Sequence, residues 1–184
     1  PALLDQIRSL SGIRAAQGLL ARQINLPADF FDNDPARPDP FNLVTLIGLE
    51  PDDAQALRQP NIQAGRFLNA ADTDAVVIAS SLADNLALGP GDTLSLPTAR
   101  GLTGLTIVGV YAAARRPGNE ELLVNLSTAQ RLLAAPGQIN TIEAQFDATD
   151  PARREEIQQS VRALLGQDYD FSGLASEPAI MANL

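Results

Sequence analysis

From Ala75 to Leu126 the chain alternates β-prone runs with turns and short helical pieces, and this order constrains its fold more than any other feature. Ala75 to Ala79 is a run of small and β-branched apolar residues, as in a buried strand. Ser81 followed three residues later by Asp84 has the spacing of a capping box, which predicts one or two helical turns over Leu82 to Leu88. Gly89-Pro90-Gly91-Asp92 supplies a proline with φ already near −65° and a glycine free to take positive φ, the requirements of a type II turn. Asp92 to Leu96 alternates polar and apolar residues, and Leu105 to Ala112 runs through Thr-Ile-Val-Gly-Val, so the two are predicted to form a β-hairpin. Pro117-Gly118-Asn119, within Arg115 to Glu121, marks another turn, and Leu122 to Leu126 another strand. The sheet therefore has at least four strands.

The two ends add helices. Leu3, Leu4, Ile7 and Leu10 recur at spacings of three and four, which predicts a short amphipathic helix stopped by Gly12. Ile13 to Leu26 and Leu43 to Leu49 are predicted strands. Between them Pro27 to Phe41 holds Pro27, Pro35, Pro38 and Pro40 with four Asp, a loop, since proline cannot donate to a sheet. Pro51 to Pro60 reads as a short helical or irregular connection. Ser127 with Gln130 is a second capping-box spacing, for a helix ended by Pro136-Gly137. Ile139 to Phe146 alternates as a strand with one buried face. Asp150 as N-cap and Pro151 at the first helical position open a helix to about Leu165, with Ile157, Val161, Leu164 and Leu165 inward and Gly166 at its end. Tyr169 to Phe171 is one last short strand.

Composition removes most catalytic chemistry. The 184 residues include no His and no Cys, and all 13 basic residues are Arg. Ser-His-Asp triads, thiolate nucleophiles, zinc sites built from imidazole or thiolate, Schiff-base lysines and a P-loop lysine are all excluded. With 22 acidic residues the formal charge is −9, which repels polyanions and argues against nucleic acid and anionic lipid surfaces; the Arg pairs 115–116 and 153–154 are the only basic clusters. No run approaches the roughly 18 apolar residues of a membrane span. An opening at Pro1 reads as a chain trimmed from something longer.

The candidate residues come from three places. Asp32 with Asp34, Asp72 with Asp74, and Glu120 with Glu121 are carboxylate pairs, the only sequence support for a hydrolase or a calcium-binding module. None has the Asp-x-Asp-x-Asp-Gly spacing of a calcium loop, and paired carboxylates share acid and base roles only when their surroundings separate their pKa values. Phe30-Phe31 in the acidic loop either form an apolar anchor for a partner, as in an adhesion or oligomerisation module, or fold back onto the core. Gly65 suits a turn, and Arg66 is available to grip a carboxylate such as Asp72 in the two-pronged way that Lys does not. Gly91 meets the φ demand of the turn before Asp92, and Gly109 inside a strand suggests a bulge or a close backbone approach.

Several of these stand in a recognisable order. Ile62-x-Ala64-Gly65-Arg66-Phe67 precedes Asp72, then Val76-Val77-Ile78-Ala79-Ser80-Ser81-Leu82-Ala83, then Leu88-Gly89-x-Gly91-Asp92-x-Leu94, then Thr106-Ile107-Val108-Gly109-Val110. The set resembles the MacB-like extracytoplasmic core domain of FtsX-type ABC transporter permeases, over roughly Leu3 to Phe171. The resemblance implies an α+β fold of two lobes: a βαβ-type porter-like lobe from both chain ends, 1–60 plus 138–184, and an inserted β-rich sabre-like lobe, 61–137. One departure is that the family's first strand precedes its first helix, whereas a helix begins here almost at residue 1. The resemblance further implies a domain on the outer face of a bacterial plasma membrane, with no catalytic residues, metal or cofactor of its own. ATP would be used by a separate ATPase subunit or domain. That ATPase and a second permease copy would be reached through transmembrane segments, and an extracytoplasmic protein would be a further partner. Gly65, Arg66, Phe67, Asp72, Gly91, Asp92 and Gly109 would serve as scaffold positions.

Overall fold

The alternation of β-prone runs and turns becomes ten strands and five helices among the described residues. The computed structural model describes residues 2–31, 36, 39, 41–99, 101–112, 120–146, 151–166, 170–173 and 179–183. In chain order the elements are α1 (Ala2–Arg8), β1 (Ile13–Asn25), β2 (Leu43–Leu49), α2 (Pro51–Arg58), β3 (Ile62–Gly65), β4 (Ala75–Ala79) and α3 (Ser80–Leu86). There follow β5 (Thr93–Thr98), β6 (Gly101–Tyr111), β7 (Glu120–Asn125), α4 (Leu126–Leu132), β8 (Thr141–Phe146), α5 (Pro151–Leu165), β9 (Asp170–Gly173) and β10 (Ala179–Asn183). Residues Pro1–Leu19, Asp52–Gln59 and Ile139–Leu184 form one unit, and Leu20–Pro51 with Pro60–Gln138 form the other.

In the first unit, the early residues of β1 pair with β8, β8 with β10, and β10 with β9, all antiparallel. The predicted inward stripe of α5 is the one that packs: Ile157, Val161 and Leu165 are buried with Ala16, Ile142, Ala144, Phe146 and Ile7 of α1. Gly12 takes φ +95° between α1 and β1, and a Cβ there would run into the Ile157 side chain. No residue but glycine fits both conditions. Removing one stripe residue, as in Val161→Ala, would leave a cavity between helix and sheet at a cost of about 1–3 kcal/mol.

The second unit is a mixed sheet in the order β3-β6-β4-β7-β2, continuing to the later residues of β1, with β5 hairpinned onto β6. β2 pairs with β7 and β4 with β6 in parallel. Strands in parallel pairings are covered on both faces and so read as continuous apolar runs. All five residues of β4 are buried, as its composition predicts. Val44, Leu46, Val76, Ile78, Leu105, Ile107, Leu122 and Val124 make the core with Leu82 of α3 and Ala129 and Leu132 of α4.

Several expectations are corrected. Residues 1–60 do not group together: Leu20–Pro51 falls with the middle of the chain, because β2 is hydrogen-bonded to β7 from Val44↔Glu120 to Leu49↔Asn125. Neither capping box forms. Ala79 is the N-cap of α3 with no side-chain cap, and the Ser81 hydroxyl instead donates to the buried Glu120 carboxylate. Asn125, not a serine, is the N-cap of α4, and the Gln130 amide donates to the Gln138 carbonyl. β8 is buried on both faces, since Thr141 and Glu143 are buried along with Ile142, Ala144 and Phe146. A strand after Gly173, β10, also escapes the sequence pattern. Asp150, Tyr169 and the 113–119 turn with Arg115-Arg116 lie outside the described residues.

Candidate functional site

Several motif positions between Gly65 and Gly109 come together within the second unit. Gly65 closes β3 at φ +70°, where a Cβ would collide with the Val108 carbonyl oxygen. A Cβ at Gly109 would collide with the Arg66 carbonyl oxygen. The Arg66 N–H donates to the Val108 carbonyl at 2.9 Å, so two backbones approach as only glycines allow. The β4–β6 register shifts opposite this spot, with Val76 facing Ile107 and Val77 facing Gly109. Gly91 takes φ +100° in the turn, the Asp92 N–H donates to the Gly89 carbonyl at 3.1 Å, and the Asp92 carboxylate accepts the Gly89 N–H at 2.8 Å.

That frame aims Arg66 at Asp72. Its Nη1 and Nη2 donate to the two carboxylate oxygens at 2.7 and 2.8 Å, a bidentate pair, and Nη1 also donates to the Phe67 carbonyl at 3.0 Å. The Asp72 side chain is 13% exposed and that of Arg66 50%. The guanidinium's hydrogen bonds hold the Asp72 carboxyl below the usual carboxylate range against the opposing effect of burial, helped by the Asn69 N–H, and they push Arg66 up. Phe67 is half-buried beside it. The 66–74 loop is also tied to α4. Asn125 Nδ2 donates to the Asn69 and Asp72 carbonyls at 2.8 and 2.7 Å, Thr128 Oγ1 to the Thr73 carbonyl at 2.5 Å, and Arg131 to the Asp74 carboxylate at 2.5 Å. Asp72 and Asp74 thus serve separate arginines.

Phe30 and Phe31 sit elsewhere in that unit, half-buried against its core. Their rings meet edge to face at 5.1 Å, and Phe31 lies 5.4 Å from the buried Phe41 ring. Both side the core in part, yet they also line a cavity of about 520 Å³ with Leu86, Leu88, Leu94 and Leu102, and with Asp29 as its charged residue. Leu102 is 70% exposed, while Leu94 is 1% exposed.

The remaining carboxylate pairs are separated by their hydrogen bonds. Glu120 accepts from Ser81, and Glu121 from the Tyr111 hydroxyl at 2.5 Å. Asp32 and Asp34 lie outside the described residues. Among the described residues no group of three or more acidic side chains could hold a metal ion. A buried cluster missing from the sequence reading lies in the first unit. Glu143 accepts from Gln17 Nε2 at 2.6 Å and from Arg58 Nε at 2.8 Å, and Gln17 is fully buried. The signal would have been the pairing Gln17↔Glu143 across β1 and β8, which no local pattern announces.

No helix among the described residues is long and apolar enough to cross a membrane. Three solved structures share the fold. The periplasmic region of MacB from Actinobacillus actinomycetemcomitans aligns at TM-score 0.62 with 15% identity, covering 99% of this chain and 77% of that one. The extracellular domain of the noncanonic ABC-type transporter YknZ from Gram-positive bacteria aligns at 0.60 with 12% identity, covering 97% and 86%. A domain of a putative permease protein from Porphyromonas gingivalis aligns at 0.52 with 15% identity, covering 98% and 81%. No curated protein sequence matches. The profile of the MacB-like periplasmic core domain matches residues 2–164, and with the motif frame and mixed fold already described, the chain belongs to that family.

Proposed function

We propose that this chain is the extracytoplasmic, non-catalytic part of an ABC transporter permease that passes ATP-driven motion from the cytoplasm to an export path or an outer partner. The observation that carries this reading is the family match over residues 2–164. The chain's own side chains suit it: there is no His, Cys or Lys, and Asp72, Asp74, Glu120, Glu121 and Glu143 are each engaged by a donor within the fold. ATP would be bound by a separate ATPase subunit or domain, and this domain would hold no cofactor. The bacterial plasma membrane would carry it on its outer side, beside a second permease copy. A packed body can transmit displacement because its elements keep their contacts while the body moves.

The test uses the full-length permease with its ATPase in liposomes. Ala163→Cys on the exposed side of α5 gives this chain a single thiol for a spin label, since it has no cysteine. The distance distribution between the labels of two copies should change on adding ATP. An unchanged distribution, or catalytic turnover of a small molecule by the 184-residue chain alone, overturns the reading.

A further inference from the structure

Helix α2 is fastened to the first unit by charge more than by apolar packing. Ala54 is buried and Leu57 partly so, yet among the described residues no α2 side chain belongs to either apolar core. Its polar fastenings there are two ion pairs. Near its start Asp53 accepts from Arg8 Nη2 at 2.7 Å, and the same arginine donates from Nε to the Ala16 carbonyl of β1 at 2.9 Å. At its end Arg58 donates to Glu143 of β8 at 2.8 Å. The first pair is open to water, with side chains 41% and 39% exposed, and the second is largely covered, at 24% and 10%.

Three features weaken the attachment. The helix has eight residues, too few to hold its form alone in water. Gln59, the residue after it, takes φ +42°, the left-handed region that glycine enters without a Cβ penalty, and does so before Pro60, where extended backbone is preferred. Beside the Arg58–Glu143 pair, Gln17 gives its Nε2 to Glu143 while its buried Oε1 accepts no hydrogen bond among the described residues, a cost that water would remove.

We infer that α2 is a charge-latched strap. It lifts from the first unit as one piece while β8 stays paired with β1 and β10, and this gives the unit a second arrangement in which Glu143 and the Gln17 amide are hydrated. The exposed Arg8–Asp53 pair is the latch that salt screens, Arg58–Glu143 is the covered one, and the strain at Gln59 favours release. A strap of this kind lets a fold keep two discrete arrangements without melting its sheet.

The test follows amide exchange of the 184-residue chain by NMR, residue by residue, at about 20 mM and about 500 mM NaCl. The amides of Gln55 to Arg58, which bond within the helix, should exchange at least about tenfold faster than the paired amides of β8, and about twofold faster again in high salt. Asp53→Asn should speed them about threefold and remove the salt response. Asp52→Asn changes a carboxylate of the same helical turn that is exposed and has no ion pair among the described residues, so it should change them less. Gln59→Gly should slow them about threefold. In all three variants the β8 amides should keep their rates. Exchange of α2 and β8 at one common rate overturns the inference, as does exchange of α2 at the rate of an unfolded chain, which would mean that nothing is latched. Equal effects of the two asparagine variants also overturn it and assign the response to the helix dipole. So does faster exchange of α2 in Gln59→Gly.

Discussion

Two arginine–carboxylate pairs of nearly equal length stand in opposite settings. Arg58 meets Glu143 at 2.8 Å, where the side chains are 24% and 10% exposed, and the same carboxylate oxygen accepts from the fully buried Gln17. Arg66 meets Asp72 at 2.7 Å with Arg66 half in solvent. Distance therefore says little about what each pair contributes. In the first, the sheet has already covered polar groups that must be satisfied where they are, so the loss of one strands the others. In the second, water can replace the partner, and the surrounding backbone geometry matters more than the charges.

The largest expected effect breaks the buried pair. Glu143→Ala leaves Gln17 and Arg58 without their acceptor and should cost about 3 kcal/mol, or on the order of 10 °C in melting temperature by calorimetry. The triple variant Gln17→Leu, Arg58→Met, Glu143→Leu should recover most of that, because an apolar set of similar volume removes the need for partners. A triple variant as unstable as the single one would mean that the pair's attraction matters more than the stranding of its partners. Next comes the frame of the exposed pair. Gly109→Ala drives a methyl into the Arg66 carbonyl and should cost about 2 kcal/mol in urea unfolding. This exceeds the expected cost of Asp72→Asn, about 1 kcal/mol, which removes the pair and leaves the frame.

Acid provides the finest distinction. The folded-state pKa of Asp72 is depressed, so its contribution to stability is full above the unfolded value near 3.9 and is lost as pH falls through the lower folded value. The stability gap between the parent chain and Asp72→Asn should therefore be constant at neutral pH and shrink below about pH 4. A gap that widens on acidification would contradict the hydrogen-bonded carboxylate.

What the sequence discloses follows from range. Arg66 and Asp72 are six residues apart across one loop, so their pairing was legible, as were the turn at Gly91 and the close approach at Gly109. Gln17 and Glu143 are 126 residues apart and meet only because β1 pairs with β8. The same long-range pairing misled the division of the chain, since β2 reads as a terminal strand until its parallel partner β7 is known. The expected caps miss for a different reason: each helix starts before its serine, with Ala79 and Asn125 as N-caps, and inside α3 the Ser81 hydroxyl serves the buried Glu120 carboxylate. Phe30 and Phe31 read as either anchor or core from sequence, and both pack half-buried against the core of the second unit.

The loop from Arg66 to Asp74 buries one large apolar side chain, Leu68, so hydrophobic packing gives it little order of its own. Its carbonyls at Asn69, Asp72 and Thr73 are instead held by Asn125, Thr128 and Arg131 at the start and along the length of α4. When that short helix frays, the loop loses its moorings in the same event. Amide protons in the two segments should accordingly exchange with solvent as one cooperative opening, well before the strands beneath them let go.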